Sequence, residues 1–363
     1  MSIKVLTQTA YAKYRAVIQS YLTALFTIPQ IHRKAKHELN GERIQWILEL
    51  LRSVKFHCVK NRRNRYSLSD LCVSLVANSL MVMIVYKTPN LRKPINFFIA
   101  NMASSDLLFP ILWIPWNLSQ LHTNSFLIGG QLGQALCKLV PFFGNVSFVV
   151  SIQNLILIAV DRFGAVVFLL RSPLITSKLC PFFILATWIV AVAVNSPYLF
   201  ASELVEYPEG TSCDIEWEKV FGESSSVASF LLAYYIPFIY IPVLLLVILY
   251  SIIVIKLKTQ VHPGEQSANS QQQRDRRNRN VLQMFIAIVT VFVLCWLPNV
   301  TNYFITQYQD RSTHFSCSFW IYYAVTYYMI TAYCAINPVI CFMFSSNYRK
   351  ALKRLIKCSF VQA

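Results

Sequence analysis

Charged residues are scarce in this chain. They account for 13% of its 363 residues, whereas apolar residues account for 55%, and a soluble globular protein usually carries about 25% charged residues. The mean hydropathy is correspondingly high, at +0.46. This scarcity of charge argues against a water-soluble domain and indicates a chain that is dissolved in lipid.

Patterns that would support catalysis or transport are also missing. The sequence has no paired carboxylates, no spacing typical of metal ligands and no glycine-rich phosphate loop, so no enzymatic activity is expected. A transporter or channel would carry several charged residues along one path through the membrane. In the apolar part of this chain only Asp70, Asp106 and the neighbouring pair Asp161 and Arg162 qualify, which disfavours that class.

Long apolar runs are what the sequence does contain. A bilayer core of about 30 Å requires about 20 mostly apolar residues per helix. Prolines inside such runs predict kinks, because neighbouring helices satisfy the freed backbone groups. We therefore expect an all-α membrane protein with seven spans, at residues 66–86, 95–118, 135–169, 179–200, 228–255, 281–308 and 315–344.

Charges are unevenly distributed between the connections. The first, third and fifth connections and the C-terminal tail are basic, whereas the fourth connection carries seven acidic residues and one lysine. Because basic loops remain in the cytoplasm, we expect the C-terminus inside, the acidic loop outside and, after seven spans, the N-terminus outside. The formal net charge of +17 then reflects membrane topology, and no nucleic-acid partner is needed to explain it.

The N-terminal segment 1–65 does not fit this distribution. It places 13 basic and three acidic residues on the expected outer side of the membrane. Three interpretations are open: a true extracellular domain, a signal peptide, and an error in the prediction of the gene. Basic residues before the apolar run 16–29 favour a signal peptide, but the cleavage site is poor.

Seven short motifs stand in order along the apolar runs. They are Asn78; Asn101-Met102-Ala103-Ser104-Ser105-Asp106; Asp161-Arg162-Phe163; Trp188; Pro242 with Tyr250; Cys295-Trp296-Leu297-Pro298; and Asn337-Pro338-Val339-Ile340-Cys341. Together they resemble the helix signatures of the rhodopsin-like (class A) G-protein-coupled receptors, over about residues 67–358. The stretch 93–101 further resembles the neuropeptide receptors of that class.

This resemblance implies an architecture. The bundle of seven transmembrane helices at 66–344 would be followed, at 345–363, by a short amphipathic eighth helix and a cytoplasmic tail. Cys137 and Cys213 would both lie outside the cell, where cysteines oxidise, and are expected to form a disulfide. A second bridge between Cys58 and Cys317 is left open. Cys358, below the basic amphipathic helix, is a candidate for lipidation, with a free thiol as the alternative.

The resemblance also implies roles for residues on the inner faces of the helices. The residues expected to couple to a heterotrimeric G protein are Asp161, Arg162 and Tyr250. Those expected to form the activation switch are Trp296, Pro298, Asn337 and Pro338. Those expected to bind a sodium ion, the one cofactor considered, are Asn78, Asp106, Ser151 and Asn337. A neutral, hydrogen-bonded Asp106 is the alternative to the sodium site.

Departures from the family pattern affect the expected activation. Cys341 replaces a tyrosine whose hydroxyl would bridge through water toward Tyr250, so we expect a less stabilised active conformation. No acid occupies the start of the sixth helix, so we expect no ionic lock to Arg162 and some basal activity. Arrestin is expected to be a weak partner, because a single serine follows Cys358.

Two ligand classes are excluded by the sequence. Amine receptors require a carboxylate midway along the third helix, where this chain has Gly144, and opsins require a lysine in the seventh helix, where it has Thr331. The acidic fourth connection would instead attract cations, and aromatic side chains with amides suit an aromatic or amidated peptide terminus. The candidate ligand-binding residues are Trp113, Gly144, Phe148, Glu203, Glu206, Tyr234, Asn299, Tyr303, Tyr323 and Tyr327.

We therefore expect a multi-pass receptor of the plasma membrane that binds an extracellular, cationic or amidated neuropeptide and activates heterotrimeric G proteins. Its expected partners are the lipid bilayer, the peptide and the G protein. A small-molecule ligand remains an alternative to the peptide. A non-signalling or orphan receptor-like protein remains an alternative to the signalling function.

Overall fold

The computed structural model describes residues 71–123, 128–168, 174–207, 210–222, 226–259, 268–308 and 317–361. The N-terminal segment 1–65 lies outside these ranges. So does Cys58, and with it the second disulfide that the sequence left open.

Eight main helices follow one another along the chain. The first four are α1 Leu71–Lys87, α2 Pro94–Thr123, α3 Gly130–Val167 and α4 Cys180–Ala201. Helix α5 consists of three consecutive segments, which are Val227–Tyr235, a π turn at Ile236–Tyr240, and Ile241–Thr259. The last three are α6 Ala268–Tyr308, α7 Cys317–Phe344 and α8 Ser346–Val361. Helices α2 to α7 each contain a span long and apolar enough to cross a membrane, and the described part of α1 is a shorter apolar helix.

Most helix ends agree with the expected spans within a few residues, but α6 does not. It begins at Ala268 rather than at residue 281. Its first three turns are polar and contain Gln and Arg, so the hydropathy of the sequence did not indicate that they are helical. Hydropathy detects only the part of a helix that lies in lipid, whereas Gln and Arg are good helix formers in water. The fifth connection is correspondingly shorter than expected.

Helix α3 lies at the centre of the bundle, where it packs against α2, α4 and α5. In its membrane-spanning part 67% of the residues are buried, against 22% in α4. The outer face of α4 exposes large apolar side chains such as Phe182, Leu185 and Ile189. An apolar outer surface of this kind is what a lipid-facing helix requires.

A two-stranded antiparallel hairpin interrupts the expected all-α architecture in the fourth connection. Strand β1 spans Ser202–Tyr207 and β2 spans Gly210–Ile215, with Leu204 opposite Cys213. Valine, threonine, tyrosine and isoleucine in these strands favour extended backbone, and the turn between them ends at a glycine with positive φ, Gly210. From the sequence we expected an acidic loop with a disulfide at Cys213 and with ligand-binding residues, but no strands. The structure adds the hairpin to the helical bundle.

Hydrogen bonds attach helix α8 to the end of the bundle at which α2 begins and α7 ends. Oη of Tyr348 donates to Oδ1 of Asn96 on α2 at 2.9 Å, and Arg349 donates to the main-chain oxygens of Phe342 and Met343 at the end of α7. Tyr348, Ala351 and Leu352 are buried, whereas Lys350, Lys353 and Arg354 are exposed. Contact of this helix with the membrane stays a prediction, and so does lipidation of Cys358.

Candidate functional site

A buried polar cluster joins α2, α3 and α7 in the middle of the bundle. Asp106 is 1% exposed. Its Oδ1 atom is hydrogen bonded to Oγ of Ser151 at 2.8 Å, and its Oδ2 atom accepts from Nδ2 of Asn337 at 2.9 Å. Asn78 on α1 lies nearby and donates to the main-chain oxygen of Cys334 at 2.8 Å. The structure thus brings together the four residues predicted to bind sodium.

Whether these residues fit a sodium ion depends on oxygen atoms and on space. Asn78, Asp106 and Asn337 line one crevice, and among the described residues the Oδ1 atoms of Asn78 and Asn337 are buried without a hydrogen-bond partner. Such oxygens suit a hard cation. The crevice, however, contains no space as large as a water molecule, and both carboxylate oxygens of Asp106 are already hydrogen bonded. Sodium binding at this cluster therefore stays a prediction.

A second polar network lies about one turn from this cluster and connects α2, α3 and α4. Nε1 of Trp188 donates to Oδ1 of Asn101 at 2.9 Å, and Nδ2 of Asn101 donates to Oδ1 of Asn154 at 3.1 Å and to Oγ1 of Thr187 at 3.4 Å. Asn101 and Trp188 belong to the motifs noted in the sequence. Asn154 and Thr187 were missed, although a polar residue three positions after Ser151 on the same helix face was a usable signal.

The last turns of α3 carry Asp161 and Arg162, two of the residues predicted to couple to a G protein. Nη2 of Arg162 lies 2.5 Å from Oδ2 of Asp161, whose side chain is 2% exposed. Tyr250 on α5 lies beside Arg162, and its hydroxyl is buried without a hydrogen-bond partner in the described ranges. Arg162 is therefore held by its own neighbour in the sequence, and Tyr250 is available to a new partner.

Aromatic side chains surround Trp296 above the polar cluster. The rings of Phe148 and Trp296 lie 4.1 Å apart, Phe292 stacks on Phe148 at 5.4 Å, and Phe109 lies 6.1 Å from Trp296. Tyr333 approaches Trp296 at 6.1 Å. Phe109, Phe292 and Tyr333 were not among the predicted site residues, because an aromatic residue in an apolar helix has no sequence signal that separates it from the general core.

Gly144 was predicted to face the ligand, and the structure gives it a packing role. A Cβ atom at this position would lie 3.7 Å from the rings of Phe109 and Trp113 on α2. These two rings stack on each other at 5.5 Å. Gly144 thus lies beside the aromatic pair on α2, and an alanine here would make ordinary van der Waals contact with both rings.

The other predicted ligand-binding residues of the helices lie on α5, α6 and α7. Tyr234 on α5 packs against Tyr198 and Tyr235, and Tyr303 on α6 approaches Tyr235 at 6.3 Å, so these residues form one aromatic cluster between α4, α5 and α6. Tyr323 and Tyr327 lie on α7, where Tyr323 is 40% exposed and Tyr327 is buried. Asn299 is half-buried on α6.

The hairpin is fastened to the outer end of α3 at several points. Cys137 and Cys213 form the predicted disulfide, with Cα atoms 5.5 Å apart. Gln134 on α3 accepts from the main-chain nitrogen of Leu204 at 2.9 Å and donates to the main-chain oxygen of Ser202 at 3.3 Å. The disulfide is confirmed. The role of Gln134 was missed, because a polar residue near the start of a helix reads as surface.

The acidic residues of the hairpin differ in their surroundings. Glu203 lies opposite Asp214 in the strand register and forms an ion pair with Lys219, Nζ to Oε2 at 2.6 Å. Lys219 relieves the repulsion that two acids in opposite positions would otherwise cause. Glu206 is exposed. Of the two acidic residues predicted to bind the ligand, Glu203 is therefore neutralised and Glu206 faces solvent.

Comparison with known proteins identifies the family of this chain. Residues 77–340 match the family described as 7 transmembrane receptor (rhodopsin family). The chain belongs to this family. The resemblance noted in the sequence is thereby confirmed, and this rhodopsin-family receptor is a multi-pass membrane protein.

Relatives of this receptor include several peptide receptors by name. It is 26% identical to the RYamide receptor of Drosophila melanogaster, over 78% of this chain and 60% of that receptor. It is 28% identical to the QRFP-like peptide receptor of Branchiostoma floridae, over 78% of this chain and 74% of that receptor. It is 30% identical to the neuropeptide Y receptor type 2 of Mus musculus, over 80% of this chain and 74% of that receptor.

Within this rhodopsin-family receptor, the cysteine of the seventh-helix motif has a distinct environment. Cys341 is 1% exposed and lines the same crevice as Asp106. Below it, Phe342 and Tyr348 meet edge to face at 6.4 Å.

Proposed function

We propose that this chain is a plasma-membrane receptor that binds a cationic or amidated neuropeptide and activates heterotrimeric G proteins, with its N-terminus outside and its C-terminus in the cytoplasm. The observation that carries the proposal is the acidic hairpin, which a disulfide and Gln134 hold against the outer end of α3. The names of the relatives, which include RYamide, QRFP-like and neuropeptide Y receptors, support the same ligand class.

Ligand recognition would begin with electrostatic attraction. Glu206 is exposed on the hairpin and Lys219 can leave Glu203, since the side chain of Lys219 is 63% exposed. A peptide arginine could then form charge-assisted hydrogen bonds with either carboxylate. The peptide terminus would reach Tyr323 and Asn299 at the mouth of the bundle. Steering of this kind raises the association rate and weakens as salt is added.

Signal transmission would run through the aromatic cluster. Trp296 contacts Phe148 closely and lies two residues before Pro298, where α6 lacks a main-chain donor. A ligand that displaces Trp296 would move the cytoplasmic half of α6 about this proline. Arg162 and Tyr250 would then be exposed to the C-terminal segment of a G-protein α-subunit. Arrestin is a weaker candidate partner.

Peptide-stimulated nucleotide exchange tests the proposal. Cells that express the full chain would be exposed to amidated peptides ending in Arg-Tyr or Arg-Phe, and to the same peptides with a free carboxylate. We expect exchange on the G protein with the amidated forms, lost in Arg162→Ala and reduced at high salt. A response to non-peptide ligands alone would refute the peptide assignment. Surface expression without exchange for any ligand would refute the signalling function.

A further inference from the structure

The turn between α1 and α2 and the first turns of α8 are joined into one surface. Asn96, near the start of α2, donates from Nδ2 to the main-chain oxygen of Leu91 in the turn at 2.8 Å. Its Oδ1 atom accepts from Oη of Tyr348 on α8 at 2.9 Å. Tyr348 is 2% exposed, so this hydrogen bond is shielded from water. Asn96 therefore fastens the turn and α8 to each other through both ends of its amide.

Both sides of this junction expose basic side chains. On α8 the buried residues Tyr348, Ala351 and Leu352 share one face, because residues three and four apart are neighbours on a helix. Two hydrogen bonds from Arg92 to the main-chain oxygen of Tyr86 hold its guanidinium beside the end of α1. The exposed cations, which we call the basic surface, are Lys87, Arg92 and Lys93 beside the turn and Lys350, Lys353 and Arg354 on α8.

No acidic residue compensates the charge of the basic surface within the elements that carry it. Residues 71–105 and 311–363 contain no Asp or Glu. In the described part of the chain, none of the cations of the basic surface forms an ion pair. Like charges that are held near one another repel, and the buried hydrogen bond of Tyr348 keeps the two groups of cations together. A bound anion would relieve this repulsion.

The position of the basic surface indicates the kind of anion. Lys87 ends α1, and Lys93 directly precedes the apolar span of α2. Met83 is exposed one turn before Lys87 on α1, and Met343 is exposed at the end of α7. A lipid carries acyl chains and a phosphorylated headgroup on one molecule, so it can contact these apolar side chains and the neighbouring cations at once. Clusters of about four to eight cations next to a membrane helix attract anionic lipids of the cytoplasmic leaflet.

We propose that the basic surface binds a phosphoinositide, a lipid whose headgroup carries more than one phosphate. The proposal rests on the proposed orientation of the receptor, with its C-terminus in the cytoplasm. Ammonium and guanidinium groups form charge-assisted hydrogen bonds with phosphate. A headgroup with several phosphates can be held by cations of the turn and of α8 together, whereas the single phosphate of phosphatidylserine engages fewer of them.

Binding of a fluorescent, short-chain phosphatidylinositol bisphosphate to the purified full-length receptor tests the proposal, with fluorescence anisotropy as the readout. The assay contains neither peptide nor G protein, so failure of the signalling function would leave its result unchanged. We expect saturable binding at physiological salt and weak competition by phosphatidylserine of the same chain length. Absence of saturable binding would overturn the proposal and favour an acidic protein partner.

Soluble inositol trisphosphate distinguishes the lipid from a free phosphate ligand. It carries several phosphates but no acyl chains, so we expect it to compete more weakly than unlabelled phosphatidylinositol bisphosphate. Equal competition by the two would overturn the lipid assignment in favour of a soluble anion.

Two pairs of substitutions test whether the turn and α8 bind together. Lys87→Gln with Lys93→Gln removes two charges beside the turn, and Lys350→Gln with Lys353→Gln removes two charges from α8. The loss of one cation should weaken binding about fivefold, so each pair should weaken it about 25-fold. A loss confined to one pair would overturn the joint site.

A third pair is the matched control. Lys178→Gln with Lys256→Gln removes the same number of exposed charges, before α4 and near the end of α5, away from the basic surface. The affinity for phosphatidylinositol bisphosphate should stay at that of the wild type. A loss as large as in the other two pairs would overturn the proposal, since the attraction would then depend only on net charge.

Discussion

Replacement of Gln134 by alanine should loosen the hairpin while the disulfide remains intact. The substitution removes one hydrogen bond accepted from Leu204 and one donated to Ser202. Each such bond contributes about 0.5–1.5 kcal/mol, so the docked hairpin should lose about 1–3 kcal/mol. This corresponds to a change of about 5- to 150-fold in the equilibrium between docked and undocked states.

Amide hydrogen exchange measures this equilibrium. The main-chain N–H of Leu204 points to Gln134 rather than to β2, so its exchange reports docking and not strand pairing. In Gln134→Ala it should exchange faster by the factor given above. Gln131→Ala is the matched control, because Gln131 is exposed on the same helix and should leave the rate unchanged. Peptide affinity should fall only as far as the docked population falls.

The reasoning fails if Leu204 exchanges at the same rate in Gln134→Ala and in the wild type. Equal rates would mean that the disulfide between Cys137 and Cys213 alone holds the hairpin in place. Faster exchange in both glutamine variants would also refute it, since the effect would then be one of general destabilisation of α3.

Three further changes have defined outcomes. Cys341→Tyr should increase agonist-stimulated nucleotide exchange, since a hydroxyl at this position could bridge through water toward Tyr250; unchanged exchange would contradict this. Arg162→Ala should lower ligand-free exchange below that of the wild type, because Arg162 forms its ion pair with Asp161, a bond within α3 that does not tie α3 to α6; equal basal exchange would show that there is no basal activity. Tyr348→Phe should destabilise the receptor by about 0.5–1.5 kcal/mol, because it removes the hydrogen bond to Oδ1 of the half-buried Asn96, and a thermal unfolding midpoint equal to that of the wild type would contradict this.

Much of the bundle was predictable from the sequence because lipid imposes a simple rule. A span must be apolar over the thickness of the membrane, and six of the helices satisfy this in the structure. The rule says nothing about helix outside the membrane, so the first turns of α6 were missed. It says nothing about the hairpin either, whose strands are short and rich in charged residues.

The sequence motifs predicted which residues form the site. They could not predict the contacts that depend on how the helices pack together. Asp106, Asn337 and Ser151 were expected together, and they are together. Ser151 also contacts Ser105, which was not predicted, because that contact depends on how α2 packs against α3. Phe109 was missed for the same reason, since its contact with Trp296 depends on the distance between α2 and α6.

The π turn in α5 has a consequence for the comparison of this receptor with its relatives. A π turn encloses one residue more than a regular turn, which rotates everything beyond it by about 100°. Tyr250 faces the interior of the bundle, and in a regular helix Ile236 and Leu232 would lie on the same face. In the structure Ile236 and Leu232 are 47% and 43% exposed. Their neighbours Tyr235 and Leu231 are buried instead. Contact positions transferred to the outer part of α5 from a relative without this turn must therefore be shifted by one residue, or they will designate side chains that face lipid.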